Sequence, residues 1–179
     1  IMSLKRIYHI ADIHIRNVQR HKEYRQVFEK MFEEIRQRGT EDSIIYLAGD
    51  IAHAKLEMSP ELVKEISWLF TECSKHCETI LIAGNHDCNM NNSDRLDVLT
   101  PIVEALNLPN FTYLRDTQVY SIGGVDFSVF SIFDKRDNWI PEIKNKLEII
   151  SNRETNKKDF ENAKKTLDEA VFGLNDAKL

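Results

Sequence analysis

The chain has little of what marks secreted, membrane-spanning or fibrous proteins. Its 179 residues include three cysteines, four prolines and six glycines. So few cysteines, and an odd number of them, make no disulfide framework and suit a reducing compartment better than a stapled secreted fold. No apolar run approaches the roughly 20 residues that a membrane span needs. No secretory signal is visible where the chain opens, at Ile1-Met2. These absences predict an intracellular protein, cytoplasmic or nucleoid-associated, neither secreted nor embedded in a membrane. A basic excess is missing as well. The net charge of −5 argues against a surface that binds nucleic acid everywhere, but says nothing of a local groove. No repeat or low-complexity segment occurs. What remains is ordinary for a globular chain: 42% hydrophobic and 30% charged residues, in a length that fits one domain with a sizeable core.

Three short Ile-rich runs stand out: Arg6 to Ile10, Ser43 to Ala48 and Thr79 to Ala83. Each reads as a buried parallel strand. Each ends in residues that bind metals, Ala11-Asp12-Ile13-His14, Gly49-Asp50-Ile51-Ala52-His53 and Gly84-Asn85-His86-Asp87. In open α/β sheets the crevice beyond the strand C-termini is where ligands bind, so these distant residues can converge there.

Helical segments follow each run. Tyr24, Val27, Phe28, Met31 and Ile35 recur at helical spacing, with Gly39 placed to cap them. Ser59-Pro60 is an N-cap and first-turn pair opening a helix that carries Trp68 and ends near Cys77. Cys73 and Cys77 share a face of that helix with Leu62, Ile66, Leu69 and Phe70, which predicts apolar packing rather than zinc binding. A polar loop from Cys88 to Ser93 precedes a helix restarted at Thr100-Pro101. Phe111 to Leu114, Val119 to Ile122 and Val125 to Ile132 are strand-like, with Gly123-Gly124 suited to a tight hairpin. Three other histidines are assigned no ligand role. His21 and His76 fall in helices, and His9 lies within the first strand as a buried, satisfied residue.

The chemistry can be argued from the residue types. Divalent ions that activate water for phosphoryl transfer take carboxylate, imidazole and carbonyl ligands, which Asp12, His14, Asp50 and Asn85 offer. Asp50 can bridge two ions, and a hydroxide clamped between them would attack phosphorus in line. His86 is then available to protonate the leaving oxygen or to stabilise phosphoryl charge. Asp87 would hold its tautomer or support the loop. Arg16, Arg20, Lys22 and Arg25, beside the first motif, could track a phosphate backbone or simply form a solvated helix start, and charge alone does not decide. Each motif alone is a modest signal. Their conjunction, in order and each at a strand end, is hard to obtain without a shared site.

Residues 4 to about 134 resemble the calcineurin-like metallophosphoesterases, whose motifs run D-x-H, G-D and G-N-H-D/E. The stretch Gly49 to His53 with a helix opening at Ser59-Pro60 looks like the DNA-repair nuclease branch, SbcD and its phage and eukaryotic counterparts. The segments Asp94 to Val103 and Val125 to Asp134 look most like phage recombination exonuclease subunits. The resemblance implies an α/β layered sheet with helices on both faces and a manganese-dependent DNA exonuclease. Asp12 and His14 would hold a first ion, Asp50 would bridge, and Asn85 would hold a second. His86 would be the catalytic histidine and His53 would touch substrate phosphate. Such nucleases work with an ABC-type ATPase of the SbcC kind, a large coiled-coil partner.

The chain departs from that family after His86, where no further histidine occurs although three more ligands are expected downstream. The expected metal site is therefore incomplete, unless a homodimer completes it, and the sheet is shortened on its C-terminal side. Ser151 and Asn152 stand where one of those histidines would follow the strand-like run Leu147 to Ile150. We divide the chain into an incomplete phosphoesterase domain, residues 1–150, and a charged amphipathic helical tail, residues 151–179. That tail could pack on the sheet, seek a partner, or mark a truncated gene. Two other functions stay in view: a phosphoesterase for another phosphate substrate, and a noncatalytic DNA- or partner-binding remnant.

Overall fold

The computed structural model describes residues 4–53, 57–92 and 95–134. Nine elements follow one another: β1 (Arg6–Ile10), α1 (His21–Arg38), β2 (Ser43–Ala48), α2 (Pro60–His76), β3 (Glu78–Ile82), α3 (Thr100–Leu106), β4 (Phe111–Tyr113), β5 (Gln118–Ile122) and β6 (Val125–Val129). The first four strands form one parallel sheet in the order β1-β2-β3-β4, with Ile7 opposite Ile44 and Ile45 opposite Thr79. The last two form an antiparallel hairpin. Its turn is Gly123-Gly124, both at positive φ (60° and 79°), as a two-residue turn matched to strand twist requires.

Alternation along β2 sorts the two faces. Ile45 and Leu47 point into a core with Phe28, Phe32 and Ile35 of α1, Leu62, Ile66, Leu69 and Phe70 of α2, and Ile102 of α3. Ile44 points the other way, into a smaller cluster with Ile80, Leu114 and Val129, against which Tyr46, Tyr120 and Phe127 pack. The sheet is parallel and helix-flanked as expected. Within the described residues, however, the three helices share one face and the β5–β6 hairpin covers the other. Strand-helix alternation does not say on which side each crossover falls, so the sequence reading of helices on both faces did not resolve this layering. No helix of the described residues is long and apolar enough to cross a membrane.

The helices begin and end where their chemistry dictates. Ser59 caps α2 by accepting the Leu62 N–H at 3.1 Å, and Pro60 occupies the first turn where its missing N–H is harmless. Leu62, Ile66, Leu69 and Phe70 are fully buried, each contributing about 1.5–3 kcal/mol of apolar burial. Cys73 and Cys77 are buried on the same face, and burial pushes both thiols up, which suits inert packing. Gly39, at φ 106°, ends α1 with its N–H on the Ile35 carbonyl at 3.0 Å. The Tyr8 hydroxyl then donates to the Gly39 carbonyl at 2.9 Å, fastening that helix end to β1. At α3, buried Asp97 serves as the capping side chain, its Oδ1 accepting from the N–H groups of Leu99 (2.9 Å) and Thr100 (2.8 Å).

Two expectations are corrected. β1 was expected as a buried strand, but among the described residues it is the sheet edge and mostly exposed, Ile7 being 44% accessible. His9 is accordingly exposed rather than a satisfied core residue, and its ring stacks on Tyr46 at 5.0 Å. The proposed strand Leu147 to Ile150, the Ser151 and Asn152 positions, and the boundary at residue 150 with its tail lie outside the described residues.

Candidate metal centre

Hydrogen bonding does not stop where β1 and β2 end. The Asp12 N–H donates to Gly49 O (3.3 Å), His14 N–H to Asp50 O (2.9 Å), Ile15 N–H to Ile51 O (2.8 Å) and His53 N–H back to Ile15 O (3.0 Å). The first two motifs thus run side by side as an irregular extension of the sheet, ending in a parallel bridge between Ile15 and Ala52. The extension is bent, because Asp12, His14 and Asp50 are all left-handed, with φ of 55°, 51° and 53°. For residues with a Cβ this conformation costs of order 1–2 kcal/mol each, somewhat less for Asp. Strained backbone at three clustered polar residues is typical of sites where geometry serves ligand binding.

The third motif is pressed against the second with no room for a side chain between them. Gly49 has φ 84°, and a Cβ there would sit 2.7 Å from the Gly84 amide nitrogen; a Cβ on Gly84 would collide with the Asp50 carboxylate. Across this contact the His86 N–H donates to Asp50 Oδ1 at 2.9 Å. Asp87, fully buried, accepts from Ala52 N (2.9 Å), Gly84 N (2.9 Å) and Ile51 N (3.3 Å). Burial pushes its carboxyl above the usual range, and the three amides pull it back. Of the two roles offered for Asp87, the geometry selects loop support: its oxygens bond backbone amides of both motifs. The His86 tautomer is governed instead by the His53 carbonyl, 3.3 Å from Nδ1, which requires a proton there.

These constraints bring the expected side chains together. His14 Nε2 lies 3.8 Å from Asp12 Oδ1 and 3.8 Å from Asp50 Oδ2. One ligand atom from each of Asp12, His14 and Asp50 falls within 4.8 Å of the others, and the same holds for His14, His53 and His86. Two carboxylates and an imidazole suit a hard or borderline divalent ion. His14 Nδ1, the ring nitrogen not facing these carboxylates, is buried and has no hydrogen-bond partner among the described residues. The donor set therefore fits the expected ion. The Tyr24 hydroxyl donates to the His14 carbonyl at 2.8 Å, so α1 holds the first motif in place. Asn85 is exposed between Gly84 and His86.

The basic stretch divides. Arg16 is exposed beside the first motif, and Arg20, also exposed, pairs with Glu23 at 2.8 Å. Arg25 turns away: it grips Glu65 of α2 through two bonds (2.5 and 3.1 Å) while its guanidinium lies 3.7 Å over the Trp68 ring. It is a clamp between helices and not part of a phosphate track. Sequence reasoning missed this clamp because its partners, Glu65 and Trp68, lie on a different helix far along the chain. The meeting of His14, His53 and His86 follows the expectation that the three strand ends converge; what sequence reasoning did not assign is a common ligand set of the three rings, for which the signal was present, since each motif contributes one histidine.

The chain belongs to the calcineurin-like phosphoesterase family, whose sequence pattern it matches over residues 5–172. That family's chemistry is metal-dependent phosphoester hydrolysis, which accords with the carboxylate-imidazole cluster. It is similar to the uncharacterized protein R555 of Acanthamoeba polyphaga mimivirus, 44% identical over 134 residues, or 74% of this chain and 10% of that protein. The chain thus spans about a tenth of the length of this relative.

Proposed function

We propose that this chain is the phosphoesterase portion of a DNA exonuclease of repair or recombination, hydrolysing phosphodiester bonds with two divalent ions, manganese foremost. The observation that carries the reading is the placement of His53 and His86 with the Asp12, His14 and Asp50 cluster: two imidazoles beside a cation site suit a charged phosphodiester. Asp12, His14 and Asp50 would hold the first ion, and Asp50 with Asn85 would hold the second. When bound, the ions supply Lewis-acid polarisation of the ester and activation of water. His86, with Nδ1–H on the His53 carbonyl, turns Nε2 to the substrate. Protonated there, it donates to a phosphoryl oxygen or gives its proton to the leaving oxygen. His53, exposed at the rim, contacts a phosphate, and Arg16 and Arg20 receive the neighbouring ones.

The same reading carries an ABC-type coiled-coil ATPase as partner, self-association that would complete the site, and action inside the cell, where the thiols of Cys73, Cys77 and Cys88 stay reduced. The test is manganese-dependent degradation of linear duplex DNA beside a small chromogenic phosphodiester, with Asp50→Asn as control. Degradation of duplex DNA that the control loses supports the nuclease. Hydrolysis of the small ester alone points to a phosphoesterase for another substrate. DNA binding without hydrolysis, surviving in Asp50→Asn, points to a binding module.

A further inference from the structure

We propose that His14, His53 and His86 form a three-imidazole cation site suited to a zinc-type ion, alternative to the carboxylate-rich site with which it shares His14. One nitrogen from each ring lies within 4.8 Å of the other two. The His14 ring sits edge-on to both others, 4.6 Å from His86 and 5.6 Å from His53, while His53 and His86 are near-parallel at 5.8 Å. Each histidine comes from a different strand-end segment; the second and third are locked by the Gly49–Gly84 contact and the Asp87 carboxylate, and the first is held to the second by the backbone bonds of His14, Ile15 and His53, so the cluster does not depend on one loop's conformation.

Two details make the cluster a ligand set rather than a crowd of rings. The His53 carbonyl can only accept, so it fixes the proton of His86 on Nδ1 and leaves the Nε2 lone pair for an ion, the outer-sphere arrangement common to metal-bound histidines. His53 is exposed, so its ring has room to turn toward the other two while its backbone N–H stays on Ile15. Zinc–nitrogen bonds of 2.0–2.1 Å place tetrahedral ligands about 3.3 Å apart, closer than the 4.8 Å within which the three nitrogens lie, and rotation of the exposed His53 ring shortens its own distances to the other two.

The chemistry separates the two sites. Three neutral nitrogens favour zinc, copper or nickel over manganese, whereas two carboxylates with one imidazole accept manganese. Because His14 serves both sets, and because the proposed function assigns His53 and His86 to the substrate, a zinc-type ion on the imidazoles withdraws all three from catalysis. The site itself requires no hydrolysis and stands apart from the nuclease reading.

The test is zinc and manganese affinity of the whole 179-residue chain, by competition with a chromogenic chelator, with cobalt absorption reporting the ligand geometry. Variants are His53→Gln, His53→Cys and Asp12→Asn, each checked by its thermal melt. We expect His53→Gln to weaken zinc at least 10-fold and leave manganese unchanged, His53→Cys to restore zinc, and Asp12→Asn to weaken manganese alone. Zinc affinity unaltered in His53→Gln, or lost in parallel with manganese in Asp12→Asn, overturns the proposal. A chain that cleaves no DNA yet shows the expected split retains the site and loses only the nuclease reading.

Discussion

Asp50 divides its two oxygens between protein and site: Oδ1 accepts the His86 N–H at 2.9 Å while Oδ2 faces His14 Nε2 at 3.8 Å. One side chain thus aligns the third motif and offers charge to an ion. Asparagine keeps an acceptor oxygen for His86 and loses the charge; alanine loses both. Asp50→Asn should therefore keep the melting temperature within about 2 °C, corresponding to less than 1 kcal/mol in a domain of this size. Its manganese affinity should fall by more than the 10–100-fold typical of outer-sphere losses. Asp50→Ala should lose about 1–2 kcal/mol in addition. Titration calorimetry and thermal unfolding of both variants check this.

Asp87 should be far less tolerant than its exposed neighbours. Truncation to alanine leaves two buried amides, of Ile51 and Ala52, and the half-buried one of Gly84 without an acceptor, at about 1–3 kcal/mol for each buried one before relaxation or water entry. Asp87→Ala should unfold at clearly lower denaturant than wild type, whereas Asn85→Ala, at an exposed position, should match wild-type stability. Urea titration of the pair decides it.

The Gly49–Gly84 contact predicts that neither glycine accepts even one methyl group. Gly84→Ala meets the Asp50 carboxylate directly, and Gly49→Ala adds a left-handed backbone to a backbone collision. The conformational part alone is about 1 kcal/mol. Both variants should lose manganese binding together with stability, while Gly123→Ala, whose Cβ would have only ordinary contacts, should lose stability alone. Calorimetric binding measured beside thermal melts separates the outcomes.

Arg25 and Arg16 should behave oppositely. Arg25→Lys cannot reproduce the paired bonds to Glu65 or the flat stack on Trp68, so it should destabilise by about 2–3 kcal/mol and alter Trp fluorescence, leaving DNA affinity intact. Arg16→Ala should leave stability unchanged and reduce the salt dependence of DNA binding by roughly one phosphate, a slope change of about 0.9. An equal loss of slope in Arg25→Lys would return that residue to the phosphate track.

His76 gives a pH test. Burial against Phe32, whose ring it stacks on at 5.0 Å, lowers its pKa, and the charge of Arg36 adds to this. The folded state therefore binds fewer protons than the unfolded one just below the ordinary histidine range. Stability is fully present above the unfolded pKa of 6.5 and declines as pH falls through the lowered folded value. His76→Gln should flatten the fall in melting temperature between about pH 7 and 5.

Strand ends and helix caps were legible because buried parallel strands leave unbroken apolar runs and because Ser59-Pro60 and Gly39 carry local chemistry. Residues whose roles depend on distant partners were not. Arg25 reads as surface charge until Glu65 is seen beside it, and Asp87 reads as a partner for His86 until its oxygens are found on Ile51, Ala52 and Gly84. Asp97 carried a readable signal, an acid three residues before Thr100-Pro101, which a search for capping residues would have found. His9 and the exposed face of β1 show a different limit, since an apolar run does not reveal whether a strand is central or at an edge.

The left-handed backbone at Asp12, His14 and Asp50 sets stability and activity against each other within single residues. Glycine at any of the three would relax the main chain and remove a ligand in the same substitution. A search for hardier variants scored on folding alone would therefore drift toward glycine at these positions and discard the site. The same three positions are the ones such a search should hold fixed, and an ion added during selection would make the folded state itself reward their retention.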